Sequence, residues 1–276
     1  MNAKIIGVGG YLPDKVLTNF DLEKMVDTTD DWITQRTGIH ERHIAAEGQS
    51  TSDMAVEAVK LALINAQIST TDIDMIICAT TTPDLTFPST ACLIQNKLGL
   101  DKPIIAFDIQ AVCSGFVYAM SVANDMMRGR KIKHAVIIGA DKMSSLIEWQ
   151  DRSTCVLFGD GAGAVVLQAT EEPGIIDAEI RANGIYSDIL KTTGGTSTTA
   201  AAGNIYMDGR GVFKHAVEKM TASIKEITER NGLKIDDIAL IIPHQANYRI
   251  LSLVAEKLGI SDDKFMLTIG TFERPF

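Results

Sequence analysis

The sequence predicts an α/β protein in which parallel-rich sheets are covered by helices. Strand-like and helix-like segments alternate along the chain. Strands such as Met75–Ala79 are continuous apolar runs, the pattern of strands buried on both faces. With 276 residues the chain can hold two layered halves, on a prior of about 150 residues per domain. Each half reads as strand, long helix, strand and ordered turn.

The elements follow in order. A first strand over Lys4–Val8 runs into the turn residues Gly9, Gly10 and Pro13. Asp21–Val26 forms a short helix, and Asp30 or Asp31 caps a second one carrying Trp32 and Arg36. Ser52–Gln67 is amphipathic, with Met54, Ala55, Ala58, Leu61, Ala62 and Ile64 on its apolar face. A buried strand at Met75–Ala79, a helix over 89–98 and a strand over 104–108 come next. A helix then runs from Cys113 to about Met127, apolar nearly all round, followed by a strand over 135–140. Residues 155–169 read as two β-segments broken by Gly159-Asp-Gly-Ala-Gly163, and Ile175–Ile180 as a third. The Thr-, Gly-, Ser- and Ala-rich stretch 186–209 lacks periodicity and reads as a long loop or flap. Val212–Arg230 is a strong amphipathic helix ending at Asn231-Gly232. Strand Ile238–Ile242, a helix over Asn247–Leu258 and a short strand Phe265–Ile269 complete the pattern.

Composition narrows the function classes. The chain is 46% hydrophobic and 22% charged with net charge −9, and it has no run of basic residues. Phosphate neutralisation drives nucleic-acid binding, so a nucleic-acid partner is not expected. No apolar run approaches the roughly 20 residues that span a bilayer, and the N-terminus lacks a secretory pattern. A cytoplasmic protein is the expectation. The four cysteines show no C-x-x-C spacing, which argues for free thiols and against structural zinc.

Two positions stand out chemically. Cys113 follows a strand and opens a helix, where unpaired N–H groups and the helix dipole favour the thiolate. A thiolate suits thioester exchange, because the leaving group is itself a thiolate. The alternative is a cysteine packed as a small hydrophobe, which is the reading for Cys78, Cys92 and Cys155. His244, in Pro243-His-Gln-Ala-Asn247, leaves a buried strand just before a helix, where α/β proteins keep their chemistry. A polar capping turn is its alternative. His40, His43, His134 and His215 read as solvent-facing or structural. Gly7-Val-Gly-Gly10 and Gly159-Asp-Gly-Ala-Gly163 follow strands without opening a helix, so they are tight turns and not phosphate loops.

Taken together, Ala111-Val-Cys-Ser-Gly-Phe116, Pro243-His-Gln-Ala-Asn247 and Phe158-Gly-Asp-Gly-Ala-Gly-Ala164 resemble the β-ketoacyl–acyl carrier protein synthase III family. Tyr11-Leu-Pro, Asp30-Asp-Trp-Ile and Arg36-Thr-Gly-Ile add to the resemblance, which runs from residue 1 to about Ile269. It implies a thiolase-like fold of two pseudo-repeated βαβαβ halves, residues 1–172 and 173–276, in an αβαβα layering. It further implies a homodimer that condenses an acyl–coenzyme A primer with malonyl–acyl carrier protein to start fatty acid synthesis. Coenzyme A enters as a substrate thioester, with no permanently bound cofactor and no metal. Cys113 would carry the acyl group, and its amide would form half of the oxyanion hole. His244 would stabilise the enolate formed on decarboxylation.

The resemblance also implies the substrate contacts. Trp32 and Arg152 would sandwich the adenine, with Thr28 and Arg36 beside them. Leu190, Met207, Gly209, Phe213, Ala246 and Asn247 would line the pantetheine tunnel, and Phe87 would reach across the dimer. Lys214, Gln245, Arg249 and Lys257 would dock the acidic carrier protein; Arg249 and Lys257 lie about 80° apart round a helix. Glu256 stands where relatives often carry another lysine. After Leu267-Thr-Ile269 the family continues with Gly-Asn-Thr-Ser, a buried helix and two strands, whereas this chain reads Gly270-Thr-Phe-Glu-Arg-Pro-Phe276. A C-terminally truncated second half, lacking the asparagine that partners the histidine and the Gly-rich loop, is therefore expected. The alternative function is a non-catalytic coenzyme A– or carrier-binding or dimerisation remnant.

Overall fold

The computed structural model describes residues 2–269. Its strands are β1 (Asn2–Tyr11), β2 (Lys15–Thr18), β3 (Glu41–Ile44), β4 (Met75–Ala79), β5 (Ile105–Ile109), β6 (His134–Lys142), β7 (Asp160–Thr170), β8 (Leu190–Thr192) and β9 (Ile205–Met207). Its α-helices are α1 (Asn19–Leu22), α2 (Asp30–Thr37), α3 (Thr51–Ala66), α4 (Thr90–Lys97), α5 (Gly115–Gly129), α6 (Arg152–Cys155), α7 (Gly209–Arg230) and α8 (Tyr248–Leu258). Packing divides the chain into two units, one of residues 2–15, 43–145 and 159–180, the other of residues 16–42, 146–158 and 181–269. The halves 1–172 and 173–276 remain a proposal about how the sequence repeats; packing groups 16–42 and 146–158 with the later residues.

The first unit is built on a five-stranded sheet in the order β1-β7-β6-β4-β5. Strand β4 runs parallel to both β5 and β6, whereas β7 is antiparallel to β6 and β1. The sheet is therefore mixed where a parallel-rich one was expected. Alternation along β4 explains its continuous apolar run. Ile76 and Cys78 join one core with α3 and α4, while Met75, Ile77 and Ala79 join a second core with α5. Each such isoleucine is wholly buried, worth about 1.5–3 kcal/mol relative to exposure.

Helix α3 begins at a capping box between Ser50 and Asp53. Its buried face includes Met54, Ala55, Ala58 and Ala62, but Leu61 and Ile64 face solvent at 49% and 73% exposure, against expectation. The two glycines of β1 explain the rotation. A Cβ on Gly9 would overlap the Ala58 carbonyl and the Ala62 amide, and one on Gly7 would overlap the Ala62 carbonyl and Ala66. Backbone thus meets backbone along the Ala58–Ala62 stripe, and the bulkier Leu61 and Ile64 are turned outward. The Gly7-Val-Gly-Gly10 run lies inside a strand and is not the expected tight turn.

Other expectations change as well. Gly161 and Gly163 belong to the single continuous strand β7, not to a break between two β-segments. Cys155 ends a helix and does not start a strand. Ile175–Ile180 forms no strand, and the Ile175 N–H donates to the Ala3 carbonyl of β1, 2.7 Å. Helix α5 buries one face, through Gly115, Ala119, Ala123, Asn124 and Met127, while Val117 is exposed.

In the second unit α7 and α8 pack around Val217, Ile250, Leu251, Val254 and Phe265. Thr29, rather than Asp30 or Asp31, caps α2. Asp208 caps α7, and the helix ends at Asn231 before Gly232 with φ 67°. The stretch read as a flap contains a hairpin in which Leu190 faces Met207. The strands expected at 238–242 and 265–269 reduce to one parallel bridge between Ile241 and Phe265. Pro243 accounts for this: it has no N–H for the next rung, so the Met266 carbonyl accepts instead from the Gln245 carboxamide (3.0 Å), which itself accepts from the Thr268 N–H (2.8 Å). Those are backbone groups that a longer ladder would use.

Gly9→Ala should destabilise the protein by about 3 kcal/mol or more, the size of effect expected when a packed backbone contact must separate. Gly163→Ala, with nothing within 4 Å of the added carbon, is the control. Urea denaturation of both variants checks this, and equal midpoints would refute the packing role of Gly9.

Candidate active site

Cys113 sits where β5 gives way to α5. Val112 has φ 49°, the left-handed region that β-branched residues rarely occupy. It starts a single 3-10 turn, Val112–Ser114, and α5 begins at Gly115. The helix therefore starts two residues later than expected, and Cys113 lies in the turn before it, exposed to solvent. Gly115 permits the close approach behind it, since a Cβ there would stand 3.1 Å from the Ala79 Cβ at the end of β4.

The electrostatics correct the expectation of a resting thiolate. Although solvent reaches Cys113, the protein around it removes enough water to push the thiol above its usual 9.0, and the negative charge of Asp141 pushes the same way. Its own amide opposes this more weakly. Asp141, at the exit of β6, is held by the loop after β4: its Oδ1 accepts from the Thr81 N–H (2.7 Å) and the Thr81 hydroxyl (2.8 Å). The Thr80 and Thr82 hydroxyls add bonds of 3.2 and 3.3 Å. Asp141 is not among the residues expected from the sequence; its signal there is an acid at the end of a buried strand.

Cys78 and Cys155 are buried and Cys92 half-buried, in keeping with packing roles. His134 bonds the Asp72 carbonyl (3.2 Å), and His215 rests on the Tyr186 ring, centroids 4.1 Å apart.

His244 belongs to the second unit, in the loop between the Ile241 bridge and α8. Its carbonyl accepts from the Ala246 N–H (2.9 Å), and Gln245 ties the same loop to the 265–268 segment. Solvent reaches His244, yet the protein around it removes enough water to push its pKa below 6.5. The imidazole is neutral at pH 7 and can donate a hydrogen bond without carrying charge.

The residues expected at the adenine end do gather in the second unit. The guanidinium carbons of Arg152 and Arg36 lie 4.8 and 4.9 Å from the Trp32 ring centroid, both in cation–π range. Arg152 also donates to the Asp27 carbonyl (2.7 Å). The Thr28 hydroxyl is shielded from solvent and has no hydrogen-bond partner. Leu190 and Met207 are cross-strand neighbours, and Gly209 opens α7, with its would-be Cβ 3.8 Å from the Met207 methyl. Phe213 and Ala246 pack against the α7–α8 core.

Asn247 stands at the start of α8. It caps α8 by accepting from the Arg249 N–H (2.9 Å) and donates to the Arg36 carbonyl (3.1 Å). In the first unit Phe87 is 82% exposed.

For carrier docking, Lys214 and Lys257 line one groove of about 620 Å³ between α7 and α8, with Phe213, Val217, Glu218, Thr221 and Leu253. Arg249 is exposed outside that groove. The Gln245 carboxamide donates to the Pro243 and Met266 carbonyls and accepts from the Thr268 N–H. Among the described residues no cluster of three metal-ligating side chains occurs, and no helix is long and apolar enough to cross a membrane.

A mixed sheet carrying an exposed cysteine at a strand-to-helix turn defines a thiolase-like α/β protein. Solved structures share the fold closely. The 3-oxoacyl-[acyl-carrier-protein] synthase III of Aquifex aeolicus superposes with TM-score 0.91 at 48% identity, covering 97% of this chain and 84% of that one. The corresponding Pseudomonas aeruginosa structure gives 0.90 at 36% identity, covering 98% and 84%. The family models for 3-oxoacyl-[acyl-carrier-protein] synthase III and for its C-terminal part match residues 107–184 and 228–272. The β-ketoacyl-[acyl-carrier-protein] synthase III of Thiobacillus denitrificans is 52% identical over 269 residues, covering 97% of this chain and 84% of the relative. The chain belongs to the β-ketoacyl–acyl carrier protein synthase III family. The sequence departure expected after Ile269 falls on residues 270–276, which lie outside the described residues.

Two titrations check these electrostatics. Iodoacetamide labelling of Cys113, followed by mass spectrometry, should show a midpoint above 9.0, and Asp141→Asn should lower it by removing a repelling charge. A wild-type midpoint below 9.0 would restore the thiolate picture. The His244 ring signal in proton NMR should titrate below 6.5, because burial disfavours the charged ring. The unfolded chain therefore binds the extra proton first, and this contribution to stability is complete above about pH 6.5 and declines as pH falls through the folded value. A midpoint at or above 6.5 would contradict it.

Proposed function

We propose that this protein carries out the initiating condensation of fatty acid synthesis, joining an acyl–coenzyme A primer to malonyl–acyl carrier protein. The observation that carries the reading is Cys113, solvent-exposed on a strained turn at the start of α5. Its Sγ loses a proton as it attacks the primer's thioester carbonyl, coenzyme A leaves as a thiol, and an acyl-cysteine remains. A thiol with a raised pKa is a strong nucleophile once deprotonated, so proton removal accompanies attack. Malonyl–carrier protein then loses CO2. The resulting carbanion attacks the acyl-cysteine, releasing Cys113 and 3-oxoacyl–carrier protein.

In this reading neutral His244 donates a hydrogen bond to the enolate oxygen during decarboxylation, and the Cys113 amide serves the acyl oxyanion. Trp32 and Arg152 hold the adenine, which requires Arg152 to lift from its present contact with the ring. Thr28, with its unmet hydroxyl, and Arg36 stand beside them. The Leu190–Met207 pair with Gly209, Phe213 and Ala246 takes the pantetheine arm. Lys214 and Lys257 in the α7–α8 groove, and Arg249 on α8 outside it, meet the acidic carrier.

A homodimer fits β5, which is an edge strand of its sheet among the described residues, and the outward Phe87. The reading places the enzyme in the cytoplasm, with coenzyme A as substrate rather than resident cofactor. Identity of about half over 97% of the chain favours this enzyme over a binding or dimerisation remnant.

Incubation with radiolabelled acetyl–coenzyme A should leave covalent label on the wild type and none on Cys113→Ser. Adding malonyl–carrier protein should convert that label to 3-oxoacyl product. Absence of label on the wild type would overturn the reading, and label without product would reduce it to acyl transfer.

A further inference from the structure

Buried charge in the second unit is concentrated in Arg42. The residue is 5% exposed, and among the described residues no carboxylate forms an ion pair with it. Its Nη1 donates to the Leu17 carbonyl (3.1 Å) and to Asn19 Oδ1 (2.9 Å), and its Nη2 donates to the Val156 carbonyl (2.9 Å). Nε is buried without a partner. Burial pushes the guanidinium down to about 10, which still leaves it charged at neutral pH. Holding a cation among neutral acceptors is costly, and an apolar side chain would pack the same space more cheaply. What only a guanidinium offers is a planar fork that reaches several segments at once.

Those segments carry the adenine-end residues. Val156 directly follows α6, which bears Arg152. Asn19, wholly buried, extends the network to α2, which bears Trp32 and Arg36. Its Nδ2 donates to Asp30 Oδ1 at the start of α2 and to the Ile39 carbonyl just beyond its end, each at 2.8 Å. One buried pair therefore links both ends of α2 to the end of α6.

We propose that Arg42 and Asn19 are positioning residues that set the spacing between Trp32 and Arg152, and so the grip on the nucleotide end of the thioester substrate. The proposal rests on the reading of Trp32 and Arg152 as that grip. It makes neither residue catalytic. Arg42 acts on the ligand through helices it holds from behind, and the acyl-transfer chemistry at Cys113 is left alone.

The test compares binding of coenzyme A with binding of pantetheine, which lacks the nucleotide, by titration calorimetry on the full chain. Wild type should prefer coenzyme A. Arg42→Met should weaken coenzyme A by about tenfold, the scale of a lost cation–π contact, and leave pantetheine unchanged. Arg42→Lys, which keeps the charge but not the fork, should not rescue. If Arg42→Met fails to fold, Asn19→Ser and Arg42→Lys carry the same comparison.

A role in stability alone would weaken both ligands equally, or lower only the melting temperature, and either result overturns the proposal. Trp32→Ala separates the two claims. If it lowers the coenzyme A preference while the Arg42 and Asn19 variants do not, only the positioning role falls. If Trp32→Ala leaves the preference intact, or the wild type shows none, the grip reading falls and the proposal with it.

Discussion

Between the end of β5 and the first residue of α5 the backbone turns through a left-handed valine, and the placement of Cys113 depends on that turn. Strand β5 pairs with β4, and Gly115 brings the start of α5 close to Ala79 at the end of the same β4. With both sides anchored to one strand, the intervening residues have little room, and the strain at Val112 is held by packing on either side. The result is a cysteine outside the core although both of its flanking elements are built into it.

That placement also sets its protonation. The helix dipole favours an anion by typically 0.3–1 kcal/mol, and about 2 kcal/mol in the best cases. Loss of water can shift a group by several pKa units, at about 1.4 kcal/mol each. At Cys113 loss of water is the largest influence and raises the pKa, and Asp141 adds to it. A resting thiol resists adventitious oxidation and alkylation. His244 obeys the same rule with the opposite sign, since burial keeps the imidazole neutral. Both groups rest uncharged, and charge develops only with the reaction.

In the second unit polar side chains often replace backbone pairing. Gln245 takes the backbone groups that would lengthen the bridge at Ile241, and Asn247 both caps α8 and holds the Arg36 carbonyl. Arg42 and Asn19 do the same at larger scale. Such sites fix loop geometry through directional bonds.

The sequence by itself determined the α/β alternation, the buried β4, the amphipathic α7 and the position of Cys113 at a strand-to-helix junction, because these rest on local periodicity and backbone chemistry. It also determined the family, through motifs spread over most of the chain. Only the tertiary structure decided which face α3 buries, since that depends on glycines in β1 about fifty residues earlier. The reduction of two expected strands to one bridge, the distant Asp141 charge beside Cys113, and the burial of Arg42 were decided there too. Each is set by a partner remote in sequence, and no window of neighbouring residues encodes what the folded chain places against it.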